Sequence, residues 1–240
     1  MATFRSLTIL PVILAVIAVT GSAEALVTVT TSVSPPSEDV LTYHSVPIDN
    51  FAWSMQWRDD LGWDHIEVCQ SFLVGGNTDW NVDRITLKAR EFGTSVADQG
   101  FYLQLWTVGD AHDYTGNSLI STQSGTFPGS GLGTGYWTFA FDHVNLPHGQ
   151  YYAFLLGFDS GPDPQRFVNF IHAYSAYDLY PEGRMFCRMG TPAAWSTMTH
   201  LGDRDFDFYV QGIPEPGTLA LIAPALLGFA GIAFRRMRRS

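Results

Sequence analysis

Val82-Asp83-Arg84-Ile85-Thr86-Leu87-Lys88-Ala89-Arg90-Glu91-Phe92 decides the fold class. Ile85, Leu87 and Ala89 alternate with Arg84, Thr86, Lys88 and Arg90. Period two puts the apolar three on one face of a strand and the charges on the other. The same beat continues outward. Upstream, residues 26–33 are rich in Val and Thr and stop at Ser34-Pro35-Pro36, residues 51–57 are aromatic, and residues 68–74 stop at Gly75-Gly76-Asn77. Downstream, the segments 101–108, 136–141, 151–158, 167–172 and 205–211 follow. Several of these are apolar on both sides, which suits the middle of a layered β domain. Gly-, Pro-, Asp- and Asn-rich turns separate them. No twelve-residue stretch between the termini has a helical stripe. These features predict an all-β body, a β-sandwich of jelly-roll type.

The ends of the chain read differently. Arg5 precedes an apolar run over residues 7–19, and Ala23-Glu24-Ala25 offers small residues where a signal peptidase reads. The expectation is a signal peptide over residues 1–25, an exported body over 26–213, and a separate segment over 214–240. That last segment has Pro214-Glu215-Pro216, an uncharged run over 218–234, and Arg235, Arg236, Arg238 and Arg239. As a helix the run spans roughly 25 Å against a hydrocarbon core of about 30 Å, a short membrane crossing that snorkelling arginines extend. Four arginines at its end should stay cytoplasmic and leave the body outside.

In that order, these parts closely resemble the PEP-CTERM sorting signal of bacterial exported proteins. The resemblance covers about the last tenth of the chain. It implies processing by an exosortase at or near residues 214–217, after transient anchoring in the inner membrane, and a final place on the cell surface or in the extracellular matrix. Anchoring without processing is the alternative. A weaker resemblance links the body to jelly-roll domains of exported surface-anchored bacterial proteins. It rests on Gln70-Ser71-Phe72, residues 82–87, Leu103-Gln104-Leu105-Trp106, Trp137-Thr138-Phe139, residues 146–154, Trp195 and residues 205–212. Those domains often have no known activity, and some relatives bind carbohydrate. Phe72, Ile85, Leu87, Phe139 and Phe154 are expected in the core.

Of the 13 Lys and Arg, five lie in the flanking segments, leaving 8 in the body against 21 acidic residues, a charge near −13. Nucleic acid and anionic lipid are poor partners for such a surface; neutral glycans and divalent cations are compatible with it. Cys69 and Cys187 are the only cysteines, and in an oxidising compartment they form either one disulfide or two separate buried thiols. Gly-x-Ser-x-Gly and His-Glu-x-x-His are both missing. The expectation is therefore no enzymatic activity and no cofactor, with calcium a candidate ligand of Asp203, Asp205 and Asp207, three carboxylates at period two. Tyr102, Trp106 and Trp80 are candidate sugar-stacking residues. The functional expectation is a surface or matrix protein that binds exopolysaccharide; the alternative is a secreted polysaccharide-active hydrolase working through two carboxylates.

Overall fold

The computed structural model describes residues 26–46, 51–57, 65–90, 96–111, 117–129, 132–159, 167–175, 180–189, 194–197 and 203–215. The expected signal peptide, Pro216, the apolar run and the four terminal arginines lie outside the described residues. Within them the fold is all-β, with fourteen strands and no helix. In chain order these are β1 (Leu26–Ser32), β2 (Val40–His44), β3 (Ala52–Trp57), β4 (His65–Leu73) and β5 (Trp80–Arg90). Next come β6 (Gly100–Val108), β7 (Ser118–Thr126), β8 (Gly135–Leu146), β9 (Tyr151–Phe158) and β10 (Phe167–Ser175). The last four are β11 (Met185–Met189), β12 (Ala194–Thr197), β13 (Asp203–Phe206) and β14 (Phe208–Pro214).

Neighbouring strands run β10, β3, β4, β9, β6, β7, β1, β8, β5, and β5 then meets β10 again. Nine strands thus close on themselves, which removes the free edges that two open sheets would leave. β14 and then β2 extend from β5, while β11 and β12 extend from β4. β1 runs parallel to β7 at Leu26↔Ser124 and Val27↔Gly125; the other described pairings are antiparallel.

Alternation explains which way each strand faces. On β5, Ile85, Leu87 and Ala89 point inward and are fully buried. β6 turns Phe101, Leu103 and Leu105 into the core in the same way, and β8 turns in Trp137, Phe139 and Phe141, all of them buried. Phe72 and Phe154 are also fully buried. The core is aromatic: Phe127 lies 4.5 Å from Phe101, 5.8 Å from Trp137 and 6.2 Å from Phe158, ring centre to ring centre. Phe170 on β10 meets Trp137 at 6.1 Å and Phe206 at 6.4 Å, both edge-on. Each such ring contributes on the order of 1.5–3 kcal/mol by burial. β4 and β9 are buried on both faces because their outer face is covered too. There Cys69, Ala153, Leu155 and Phe186 form a second small cluster, and the Ser71 hydroxyl donates to the Ala111 carbonyl of an overlying loop at 3.0 Å.

One edge of β5 serves two partners. β14 pairs with it from Trp80 to Leu87, and β10 takes over at Ala89 and Arg90. The exchange happens at Asp207, between β13 and β14. Lys88 N–H donates to the Asp207 carbonyl at 3.0 Å, and Asp207 N–H donates to the Ile171 carbonyl at 2.9 Å. The Asp207 carboxylate is fully buried. Its Oδ2 accepts from Val46 N–H at 3.2 Å and stands 4.0 Å from Lys88 Nζ.

This break corrects the reading of Asp203, Asp205 and Asp207 as one strand face open to calcium. Asp205 is buried and accepts from Gln70 Nε2 at 3.0 Å, Asp207 is committed to the β5–β10 exchange, and the Asp203 side chain lies outside the described residues. No group of three ligating side chains comes together among the described residues.

The disulfide is corrected as well: both cysteines are buried, free thiols. Cys69 sits opposite Phe186, and Cys187 sits opposite Val68. A one-residue offset across an antiparallel pair sends the two side chains to opposite faces, so Cys69 joins the outer cluster and Cys187 the main core. We expect a thiol-reactive dye to label two groups per chain in denaturant and neither on the folded protein. A native chain that titrates no thiol even when denatured without reductant would contradict this arrangement.

Candidate functional site

A ligand-sized opening lies where β2, the loop after β4, the start of β5 and the end of β14 meet. A cleft of about 300 Å³ there is walled by Trp80, Pro214, Leu41 and Leu73 and rimmed by Thr42, Asn77, Thr78 and Glu182. A second, more open recess of about 480 Å³ continues along β2, sharing Leu41, Thr42 and Glu182 and adding Tyr43, His44, Ser45 and Tyr180. Gly76, at φ +80°, makes the left-handed turn that carries Asn77 and Thr78 to the rim.

Trp80 lines the cleft, and Tyr43 borders the adjoining recess. Trp80 is half-buried, with part of its ring packed on the core. Tyr43 is 58% exposed, yet its ring is fixed from behind. It stacks on Tyr209 at 5.4 Å and 2° between planes, and Tyr209 meets Tyr136 edge-on at 5.9 Å. Lys88 Nζ lies 5.7 Å over the Tyr136 ring and closes the row. Deeper in, the Tyr180 hydroxyl is 2.8 Å from Thr42 Oγ1. Burial pushes the Tyr180 phenol well above its ordinary range, so it stays protonated and able to donate. Glu182 is the one carboxylate among the described lining residues, and no Lys or Arg stands with it. A two-carboxylate glycosidase arrangement needs a second carboxylate across the cleft.

The three aromatic residues proposed from sequence divide. Trp80 belongs to this groove. Tyr102 and Trp106 lie on the outer face of β6, over the second cluster. Tyr102 donates its hydroxyl to the Glu67 carboxylate, and Trp106 Nε1 donates to Gln104 Oε1 at 3.0 Å. Gly157 makes the Tyr102 contact feasible, since a Cβ there would come within 2.7 Å of the hydroxyl and 2.8 Å of Glu67 Cγ. Glu67 is fully buried and also accepts from Arg188 Nε and, at 2.8 Å, Arg188 Nη2. Burial raises the Glu67 carboxyl, and the Arg188 bonds oppose that rise. His65 Nε2 stands 3.6 Å away, and burial followed by the Arg188 charge brings it down to about 4. This cluster is a locked polar patch, with the aromatic groups committed to it.

Tyr43 and Glu182 escaped the sequence reading. Tyr43 sits on a five-residue strand whose Val-Leu-Thr-Tyr-His pattern lacks a clean alternation. Glu182 follows Pro181 in a turn and has no periodic signature. Only the fold brings them to Trp80.

No family model matches this chain, and no curated protein does. Among solved structures it is similar to that of the clostridial cysteine protease Cwp84 after propeptide cleavage, at a TM-score of 0.48 and 12% identity, covering 74% of this chain and 41% of that one. It is also similar to the structure of the cysteine protease and lectin-like domains of Cwp84, a surface layer associated protein of Clostridium difficile, at a TM-score of 0.40 and 10% identity, covering 75% of this chain and 37% of that one. The chain thus spans about two fifths of each. Because these are structures of a protease, the expectation that the body has no enzymatic role is withdrawn. At such TM-scores the likeness assigns this chain no reaction. A nucleophilic cysteine needs a thiolate. Burial, and then the Glu67 charge, raise Cys69 well above its ordinary value and Cys187 to about 12.

Arg188→Ala should cost about 3 kcal/mol at neutral pH, because it leaves Glu67 buried without its partner. The variant's stability should then fall as pH rises past 4.5, the ordinary value for Glu67, since the folded state keeps a proton that the unfolded state has lost. Urea midpoints at acid and neutral pH check this. Adding Glu67→Gln should flatten the dependence.

Proposed function

We propose that this chain is an exported bacterial surface or matrix protein. In this reading its body binds neutral exopolysaccharide in the Trp80–Tyr43 groove, and an exosortase processes its C-terminal segment. The observation that carries the binding part is the groove itself. It offers an indole in the cleft and a braced phenol ring bordering the adjoining recess, beside hydroxyl and amide groups, with one carboxylate and no Lys or Arg among the described lining residues. Aromatic faces suit the C–H faces of sugar rings, and Thr42, Asn77, Thr78 and Glu182 suit hydroxyl groups. An acidic body with a groove that has one carboxylate and no Lys or Arg among its described lining residues favours neutral glycans over polyanions.

The export part rests on the chain ends: an apolar leader, Pro214-Glu215-Pro216, an uncharged run and four arginines. Signal peptidase, the exosortase and, before processing, the inner membrane are the partners this implies; nucleic acid is not among them. The closed ring is read as a flattened jelly-roll-like sandwich whose two layers join at their edges.

Full-length protein in detergent should be retained on the producing cell's exopolysaccharide or on a neutral glucan matrix. Trp80→Ala and Tyr43→Ala should each weaken retention about tenfold, the loss of one stacking contact, measured well below the melting temperature of each variant because both rings also pack on the fold. Equal retention of wild type and both variants, or none on any glycan, would remove the binding part. Mass spectrometry of the mature C-terminus checks the export part: ends near residues 214–217 are expected, and chains ending at Ser240 would mean anchoring without processing.

A further inference from the structure

The last described residues carry a site of their own. Pro214 still pairs in the sheet, opposite Trp80. One residue on, Glu215 N–H donates to the Asp79 carbonyl at 2.8 Å. Glu215 Oε1 accepts from Asn81 Nδ2 at 3.2 Å and from Asn145 Nδ2 at 2.8 Å. The two asparagines are cross-strand neighbours on β5 and β8, and Asn145 Nδ2 lies 3.4 Å from Asn81 Oδ1. Asp79 is braced in turn: its carboxylate accepts from His148 N–H at 2.9 Å and lies 2.6 Å from His148 Nδ1. Two separate stretches of the body, residues 79–81 and Asn145 on β8, therefore converge on one glutamate.

The chemistry is specific. Two amide donors on one carboxylate oxygen, beside a backbone acceptor for the same residue's N–H, recognise an acidic side chain on an extended strand. Aspartate would fall one carbon short. Ile213 and Pro214 just before it are exposed, with Ile213 at 59%. This end of β14 thus lacks burial to hold it and depends on its hydrogen bonds.

We propose that Asn81 and Asn145 form a carboxylate clasp whose ligand is the chain's own Glu215. The clasp holds the start of Pro214-Glu215-Pro216 in the folded sheet, so an enzyme that cuts there must first displace this strand end. Proteins that take a peptide as an added strand need the same backbone groups the body already uses. The clasp rests on geometry alone; its role in tail removal rests on the processing reading above.

The test uses full-length protein in detergent and needs no processing enzyme. In the wild type the Glu215 amide should exchange with deuterium well below the free-chain rate. Asn81→Ala with Asn145→Ala should speed it at least tenfold, the loss of two hydrogen bonds to a charged group, while the Leu87 amide on β5 stays protected. Digestion with a proline-specific endoprotease should show the same change: faster cutting around residues 214–216, with the exposed Pro35 as an unchanged internal clock. Asn145→Asp alone should also open the end, by repelling Glu215, and Glu215→Gln should fall between wild type and the double variant. Free-chain exchange at Glu215 in the wild type, or equal exchange and cutting in the double variant, would overturn the clasp. Neither result depends on whether mature chains end at residue 214 or 240, so the two readings fail separately.

Discussion

Asp207 holds the ring shut. Its backbone accepts from Lys88 on β5 and donates to Ile171 on β10, at the point where β5 changes partner. Its buried carboxylate also receives the Val46 N–H, from the segment that follows β2. A buried carboxylate is costly unless its oxygens are satisfied, so this position is demanding. In return one residue ties three distant stretches of the chain together. β13 and β14 then leave Asp207 towards different neighbours, one along β10 and the other along β5.

The groove and the clasp both follow from that exchange. Because β14 runs along β5 from Leu87 back to Trp80, its end arrives beside Trp80 and Asp79. Because β2 adds to β14, Tyr43 is stacked on Tyr209 and Thr42 reaches Tyr180. A ligand in the cleft would therefore touch Pro214, one residue before the clasped Glu215. The proposed glycan site and the clasped end of β14 are physically one corner of the fold.

Much of this was legible in the sequence where one face is apolar and the other polar. Ile85, Leu87 and Ala89 on β5 face inward as their alternation required, whereas β6, apolar on both sides, left its inward face open until the fold chose Phe101, Leu103 and Leu105. β7 was not legible: Ser-Leu-Ile-Ser-Thr-Gln-Ser-Gly-Thr is too polar to announce a strand, and its pairing with β6 and β1 supplies what its side chains do not. The three aspartates misled because period two assumes an unbroken strand, and the chain breaks at Asp207. The cysteines misled because compartment chemistry says nothing of register, and a one-residue offset separates their faces. Of the candidate site, Trp80 was visible as an aromatic surplus. Tyr43, Glu182 and the asparagines around Glu215 were not, since only long-range pairing assembles them.

The most direct measurement is a comparison of Asp207→Ala with Asp207→Asn by urea unfolding and by cross-strand nuclear Overhauser contacts between Phe170 and Ala89. Asn retains an acceptor for the Val46 N–H, so it should lose about 1 kcal/mol and keep the contacts. Ala should lose about 3 kcal/mol and weaken the β5–β10 contacts. Wild-type stability in the alanine variant, or no Phe170–Ala89 contact in the wild type, would contradict a ring closed at Asp207.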